Sequence, residues 1–160
     1  SRHHELLGIE TELKVDLVNN LRFKGFVDVI IRDKRDGRIN IIDLKTATRG
    51  WNKYQKKDHK KTAQLVLYKT FYAKQFGVEE DMIDVEYIIL RRKINENSEW
   101  PMKRIQTFSP ANGKPTRNKI GKLLQEFIDE AFNKDGTYNM DLNIDIPKCK
   151  DKWCKYCNPK

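Results

Sequence analysis

The stretch FKGFVDVIIRDKRDGRINIIDLKT, residues 23–46, holds two apolar segments separated by the turn sequence KRDG. Both segments are rich in Ile and Val and are apolar on both faces, which is typical of central strands in a covered sheet. Three ionisable residues, Asp28, Asp43 and Lys45, interrupt this apolar pattern. Burial of an uncompensated charge is costly, so their presence in such strands calls for a chemical reason.

The turn decides which of these residues lie opposite each other. If KRDG at 34–37 is a four-residue loop, Asp28 lies opposite Asp43. If DG alone is the turn, Asp28 lies opposite Lys45 and diagonal to Asp43. Opposed residues share a face of the sheet, as do residues two apart in one strand. Both registers therefore predict that all three groups lie on the same side.

A bound divalent cation would explain two neighbouring carboxylates, because like charges repel each other when buried together. Mg²⁺ typically takes one or two carboxylates together with water and substrate phosphates. A lysine beside the metal can orient the attacking water or stabilise charge at the phosphate. The alternative interpretation is a buried Asp–Lys ion pair with a second carboxylate at the end of the sheet.

The remaining periodicity predicts a mixed α/β domain with the order β-β-β-α-β-(β)-α. Strands are expected at 9–17, 22–32, 38–45, 83–91 and 102–108, and helices at 58–76 and 116–133. Asp58 and Thr116 are the expected N-caps of the two helices, and Gly77 is the expected stop of the first.

The segments G25-F-V-D28 and I42-D43-L44-K45-T46 resemble the core of the PD-(D/E)XK nuclease superfamily, and most closely its RecB-like branch. That branch includes CRISPR-associated RecB-like nucleases and the mitochondrial single-strand exonuclease. The resemblance implies a restriction-endonuclease-like fold, a central mixed sheet flanked by helices. It also implies that Asp28, Asp43 and the Leu44 carbonyl bind Mg²⁺ or Mn²⁺ and that Lys45 is the catalytic lysine.

The activity implied by this resemblance is metal-dependent hydrolysis of DNA, as an exonuclease on single-stranded or free-ended DNA in recombination, repair or replication. The chain has no helicase motif, so any unwinding would come from a helicase or recombination partner. Two other classes of function stay open at this point. One is a nucleic-acid-binding module of nuclease fold that is catalytically inactive as this fragment, and the other is a structural subunit tethered through its cysteines.

Gln64 and Tyr68 are four residues apart on the predicted helix, so their side chains lie on one face. They match the Q-x3-Y motif of the RecB-like branch, which is implied to contact both the active site and DNA. A tyrosine on an apolar helix stripe is also typical of an ordinary core residue.

The start of the chain departs from the RecB-like pattern. Relatives usually carry a metal-binding His or Glu on a helix before the first strand, whereas only SRHHELLG precedes it here. His3, His4 or Glu5 could replace that ligand, or Glu10 on the polar face of the first strand could lend a carboxylate. A solvated terminus and a solvated face are the alternatives. We expect a nuclease core over 1–146 whose first helix is missing.

The tail at 147–160 contains Cys149, Cys154 and Cys157 in the spacing C-x4-C-x2-C. Closely spaced thiolates suit a soft metal centre. Several RecB-like nucleases hold a [4Fe-4S] cluster with three such cysteines and a fourth far upstream, so the resemblance implies a cluster in the intact protein. The fourth cysteine is absent here, which leaves zinc or no metal as alternatives. An odd, clustered set does not suit a secreted disulfide framework and predicts an intracellular protein.

The chain is basic, with 32 Lys and Arg against 23 Asp and Glu and a net charge of +9. This balance favours a nucleic-acid partner. One group of candidate DNA contacts follows the strand that carries Asp43, and its aromatic members could stack on unpaired bases. Its members are Arg49, Trp51, Lys53, Tyr54, Lys56, Lys57, Lys60 and Lys61. A second basic stretch comprises Lys103, Arg104, Lys114, Arg117, Lys119 and Lys122. No apolar run approaches the roughly 18 residues of a membrane span.

Overall fold

The computed structural model describes residues 3–94, 99–100 and 102–141. The strands are β1 (His4–Asp16), β2 (Arg22–Asp33), β3 (Ile39–Ala47), β4 (Ile83–Arg91) and β5 (Ile105–Phe108). The helices are α1 (Lys53–Lys57), α2 (His59–Phe76) and α3 (Lys114–Ala131), and a 3-10 turn spans Glu80–Met82.

The five strands form one mixed sheet in the order β1-β2-β3-β4-β5. The β1–β2, β2–β3 and β4–β5 pairs are antiparallel, whereas β3 and β4 are parallel. A parallel pair needs a crossover connection, which α2 supplies here. The mixed sheet with three helices confirms the predicted α/β class and is consistent with a restriction-endonuclease-like domain.

The hairpin between β2 and β3 adopts the register of the four-residue loop. Val29 pairs with Ile42, and the Asp33 amide donates to the Arg38 carbonyl at 2.8 Å. Gly37 closes the turn with φ 75°, a conformation that glycine adopts without a Cβ clash. The ladder between the two strands ends at Val29 and Ile42, so Asp28 and Asp43 come directly after the last pair.

Helix α2 covers one face of the sheet and builds the core. The Asp58 side chain accepts from the Lys60 amide at 2.9 Å and caps the helix, and Gly77 ends it with φ 64°. Its buried side chains, including Leu65 and Phe71, join the strands' inward residues in one apolar cluster. Both predicted ends of this helix therefore agree with the structure.

The helices lie on the side of the sheet that Asp43 and Lys45 face. Helix α2 contacts β1, β3 and β4, while α1 and α3 pack on α2. Leu44 and Leu90 point to the other side and are 46% and 40% exposed. The predicted flanking by helices is thus seen on one face within the described residues.

Several local expectations were wrong. Strand β1 begins at His4 and not at residue 9, and β5 begins at Ile105 and not at residue 102. Helix α1 was not predicted, although Asn52 and Gln55 form a capping box at its start that the sequence contains. Helix α3 begins at Lys114 with Gly113 as its N-cap, and Thr116 lies inside its first turn. Proline in the first turn has φ already near the helical value, which lets the helix begin earlier than Thr116. The predicted boundary between 146 and 147 lies outside the described residues.

Candidate active site

The site begins where β2 and β3 stop pairing. Asp28 leaves the ladder, and its Oδ2 accepts a hydrogen bond of 2.7 Å from the Leu44 amide. The side chain of Asp28 thereby replaces the backbone partner that the next ladder position would have supplied. This bond holds the Asp28 carboxylate beside the backbone of the residue between Asp43 and Lys45.

Asp43 is the most deeply buried charged residue at this fork, with 1% of its surface exposed. Burial raises the pKa of the Asp43 carboxyl, the Lys45 ammonium opposes that shift, and Asp28 adds to it. Lys45 Nζ lies 2.7 Å from Asp43 Oδ2 in an ion pair. The direction of this contact does not meet hydrogen-bond geometry, so among the described residues Asp43 Oδ2 has no hydrogen-bond donor.

Lys45 is held from a second side by α2. Its Nζ donates to Gln64 Oε1 at 3.1 Å, and Gln64 Nε2 donates to Tyr68 Oη at 3.0 Å. The spacing of four residues places Gln64 and Tyr68 one helical turn apart on the same face, so their side chains can bond to each other directly. The structure therefore brings Asp43, Lys45, Gln64 and Tyr68 into one continuous polar chain.

The packing around Gly25 explains why the G-F-V-D segment begins with glycine. A Cβ built on Gly25 would come 2.8 Å from Cε1 of Tyr68 and 3.1 Å from Cε1 of Phe23. Ordinary Cβ contacts do not come that close. The absence of a side chain on β2 lets the Tyr68 ring lie directly against the strand and keeps its hydroxyl in reach of Gln64.

Tyr87 belongs to the surroundings of the site, although sequence reasoning missed it. It lies opposite Asp43 in the parallel ladder and is fully buried. Burial raises the pKa of the Tyr87 hydroxyl, and the Asp43 carboxylate raises it further. The hydroxyl donates to the Lys61 carbonyl at 2.7 Å. The alternation of Ile83, Val85 and Tyr87 with Asp84 and Glu86 is a signal in the sequence that places Tyr87 on the inward face. That Asp43 is its neighbour depends on the strand order.

Glu10 on β1 lies next to Asp28 on β2. The pairs Ile9–Val29 and Thr11–Val27 flank the position, so register places Glu10 opposite Asp28. Its φ of 45° is unusual for a strand residue other than glycine, and its side chain is exposed. His4 and Glu5, by contrast, pair with Asp33 and Arg32 at the opposite end of β2.

Comparison with protein families matches the whole chain, residues 1–160, to a nuclease family. The chain belongs to the PD-(D/E)XK nuclease superfamily. Membership implies nuclease activity and a nucleic-acid substrate, and divalent metals such as Mg²⁺ are typical of this superfamily. The comparison with curated proteins found no match.

The metal that this superfamily uses can be tested against the residues present. Asp43 contributes a buried carboxylate oxygen without a hydrogen-bond donor among the described residues, which is the kind of atom that a cation satisfies. Asp28 adds a second carboxylate beside it. Carboxylate and carbonyl oxygens suit a hard divalent cation, so the donor set fits Mg²⁺ or Mn²⁺. Within the described ranges, no group of three or more His, Cys, Asp or Glu residues converges on one point.

The predicted DNA contacts differ in how much of each side chain is accessible. Tyr54 is 72% exposed, and Lys53 Nζ lies 5.1 Å from its ring centre. Trp51 is only half-buried, but its ring packs 4.9 Å from that of Tyr87, with Lys61 above it. Exposed cations of the group are Arg49, Lys53, Lys57, Lys60 and Lys61, and Lys56 is half-buried over the ring of Phe108.

The cysteine cluster and the absence of a membrane span are the two remaining expectations from the sequence. Cys149, Cys154 and Cys157 lie outside the described residues, so the iron–sulfur cluster stays a prediction from the sequence. No helix in the described part of the chain is long and apolar enough to cross a membrane.

Proposed function

We propose that this member of the PD-(D/E)XK superfamily is a Mg²⁺- or Mn²⁺-dependent deoxyribonuclease that hydrolyses phosphodiester bonds in single-stranded or free-ended DNA. One observation carries the proposal. The buried Asp43 carboxylate lies 2.7 Å from the Lys45 ammonium, at a strand fork where Asp28 provides a second carboxylate.

Asp28, Asp43 and the Leu44 carbonyl would hold the cation. The bound cation supplies Lewis-acid neutralisation of charge that develops on the scissile phosphate. Asp28 is kept in place by the Leu44 amide, so its position is set by the backbone of β3. Asp43 is kept in place by burial and by Lys45, which restricts the carboxylate to one orientation.

Lys45 is the residue that would act on the attacking water and the phosphate. Its side chain is 34% exposed, so the ammonium can reach solvent while Asp43 and Gln64 hold it. An ammonium has three donors. Only the contact with Gln64 is a hydrogen bond, because the contact with Asp43 Oδ2 is an ion pair outside hydrogen-bond geometry. A remaining donor would orient a water molecule or bond a phosphate oxygen as negative charge develops.

Gln64 and Tyr68 would act as positioning residues. The amide of Gln64 accepts from Lys45 and donates to Tyr68, so each contact fixes the rotamer needed for the other. Placement of the catalytic group within a fraction of an ångström matters, because small misplacements cost large factors in rate.

Single-stranded DNA is the substrate that the surface of the site favours. Tyr54 presents most of its ring to solvent beside Lys53. Exposed aromatic rings stack on unpaired bases, and nearby lysines neutralise phosphates. The packed ring of Trp51 offers less free surface for stacking than Tyr54 does.

Glu10 would complete the carboxylate set. Its register opposite Asp28 and its strained backbone conformation support this role, since strained residues cluster at functional sites. A solvated side chain is the alternative, which Glu10→Gln tests. A ligand role predicts weaker Mg²⁺ activation in this variant, whereas a solvated glutamate predicts an unchanged metal dependence.

The decisive experiment is degradation of end-labelled single-stranded DNA with Mg²⁺, Mn²⁺ or EDTA. Asp43→Ala and Lys45→Ala should abolish cleavage, and Lys34→Ala provides the matched control. Lys34 is exposed in the β2–β3 turn, at the far end of the same strands. Cleavage that survives both site substitutions would refute the assignment. Binding of DNA without cleavage by the unaltered chain would favour the inactive binding module.

The cysteine tail needs a separate measurement. An iron–sulfur cluster predicts a coloured protein after anaerobic purification, with visible absorption and bound iron. A colourless, iron-free protein that includes any upstream residues would exclude the cluster.

A further inference from the structure

The arginines of the described residues fall into two groups by their partners. Five of them have a carboxylate within 4.0 Å. These are Arg22, Arg32, Arg35, Arg38 and Arg117. The other arginines of the described ranges, which have no such carboxylate there, are Arg49, Arg91, Arg92 and Arg104.

The four arginines without a carboxylate come together in space. The Arg92 amide donates to the Ala47 carbonyl at 2.9 Å, which extends the β3–β4 pairing beyond the strand ends. Arg92 also donates from its guanidinium to the Thr48 hydroxyl at 3.2 Å. The Arg91 amide donates to the Arg104 carbonyl at 2.9 Å, which adds the start of β5 to the same edge.

Two lysines enlarge this surface. The Lys93 amide donates to the Thr48 carbonyl at 2.9 Å, and the Arg91 guanidinium donates to the Lys103 carbonyl at 2.6 Å. We call Arg49, Arg92, Lys93, Lys103 and Arg104 the β4–β5 basic surface. All five side chains are exposed, and none has an ion pair with a carboxylate of the described residues.

The surface lies close to the candidate catalytic lysine. Lys45 and Thr48 are three residues apart, which corresponds to about 10 Å in an extended chain. A cavity of about 410 Å³ opens there, lined by Arg49, Lys93, Ile94 and Met102. It combines cations for a phosphate with apolar side chains for a sugar or base.

We propose that the β4–β5 basic surface binds the phosphodiester backbone of the single strand next to the scissile bond. The inference rests on the proposed nuclease function and adds the path of the substrate. The strand would run from the Asp43–Lys45 fork over the carboxyl ends of β3 and β4. Exposed cations that have no carboxylate partner among the described residues can neutralise phosphates, and the strand then releases the counterions condensed on it. The paired arginines are already neutralised locally by their carboxylates.

The test compares two double variants. The double variant Arg92→Gln with Lys93→Gln removes two cations from the β4–β5 basic surface. The control variant Arg22→Gln with Lys34→Gln removes two cations at the two ends of β2. Both keep the same net charge, so a difference between them reports position. Binding of a fluorescent oligothymidylate is measured by anisotropy in EDTA over a series of salt concentrations, with thermal unfolding as the check on folding.

The surface variant should bind roughly tenfold more weakly than the control variant. Its log affinity should depend less steeply on log salt, by about 0.7 for each cation removed. Equal affinities and equal salt slopes in the two variants would overturn the proposal. If the surface variant binds more weakly but the unaltered chain never cleaves DNA, the binding surface is supported and the nuclease function is rejected. If the unaltered chain cleaves DNA but the two variants bind equally, the nuclease function is supported and the binding surface is rejected.

Discussion

The Lys45 ammonium on β3 donates a 3.1 Å hydrogen bond to Gln64 Oε1 on α2. This bond ties the candidate catalytic residue of the sheet to a helix residue that lies 19 positions later in the chain. Tyr68 continues the connection by accepting from Gln64 at 3.0 Å. The orientation of Lys45 should therefore depend on two residues that need not touch the substrate.

Gln64→Leu should lower kcat on single-stranded DNA by roughly 10- to 100-fold, because Lys45 loses the bond that aims it. Tyr68→Phe removes only the hydroxyl and should have a smaller effect in the same direction. If the chain acts as a unit, the double variant should be little worse than Gln64→Leu alone. Steady-state kinetics on one oligonucleotide measure all three, and multiplicative losses would argue for independent roles.

Gly25→Ala should destabilise the fold and impair the site together. The added methyl would meet the Tyr68 ring at 2.8 Å, and overpacking of this kind costs about 1–3 kcal/mol. Gly121→Ala is the matched control, since a Cβ on this residue of α3 meets nothing within 4 Å. That variant should gain roughly 0.5–1 kcal/mol from helix propensity. Urea denaturation compares the two, and a neutral Gly25→Ala would contradict the close approach.

Asp43→Asn should make the metal-free protein more stable while abolishing cleavage. Burial disfavours the Asp43 carboxylate, as its raised pKa indicates, and the neutral amide avoids that cost. We expect a gain of about 1 kcal/mol, within the range that single stabilising substitutions commonly give. Thermal unfolding in EDTA measures it, with exposed Asp129→Asn as control.

Mg²⁺ should make the unaltered chain more stable than Asp43→Asn, the reverse of the order expected in EDTA. A ligand that binds only the native state raises its stability, so Mg²⁺ should raise the unfolding temperature of the unaltered chain. It should not raise that of Asp43→Asn, because the cation site has lost a carboxylate. An equal response to Mg²⁺ in both proteins would mean that the ion binds elsewhere.

Lys69 should make stability depend on alkaline pH. Its ammonium is buried and donates to Asn112 Oδ1 at 2.7 Å. Burial lowers the pKa of Lys69 and Arg117 lowers it further, while three carboxylates partly oppose the shift. These are Asp84, Asp81 and Glu80. Between the lowered value and the usual value of about 10.4, the unfolded chain binds more protons, so the free energy of unfolding rises with pH.

Lys69→Met removes this titration. The free energy of unfolding of the unaltered chain, minus that of the variant, should therefore increase as pH rises toward about 10. Urea denaturation at several pH values supplies the comparison. Exposed Lys34→Met is the control for loss of a surface ammonium. The same difference in free energy of unfolding between the unaltered chain and Lys69→Met at every pH would show that burial does not lower the pKa of Lys69.

Local patterns in the chain were enough to predict most of the elements. The apolar runs around Asp28 and Asp43 predicted β2 and β3, and Asp58 and Gly77 marked the ends of α2. These signals are short-range, because side-chain alternation and helix caps involve residues within a few positions of each other. Helix α1 carries such a signal in the capping box of Asn52 and Gln55, so its start is also encoded locally in the sequence.

The sequence limited the pairing of β2 with β3 to two registers. Each of them places Asp28, Asp43 and Lys45 on the same side of the sheet. Selection between them required the geometry of the turn, where the Asp33 amide reaches the Arg38 carbonyl. The end of the ladder at Val29 and Ile42 was also unpredictable, since a strand fork depends on what each strand pairs with beyond it. That fork is what frees the Asp28 carboxylate to bond the Leu44 amide.

Contacts between distant segments were decided only by the packing of α2 and β4 on β3. The bond from Lys45 to Gln64, the place of Tyr87 opposite Asp43, and the gathering of arginines around Thr48 all join residues far apart in the chain. Periodicity reports the face that a residue occupies but not the neighbour that it meets there. The order of strands supplies that neighbour, and it arises from the free energy of the whole packed core.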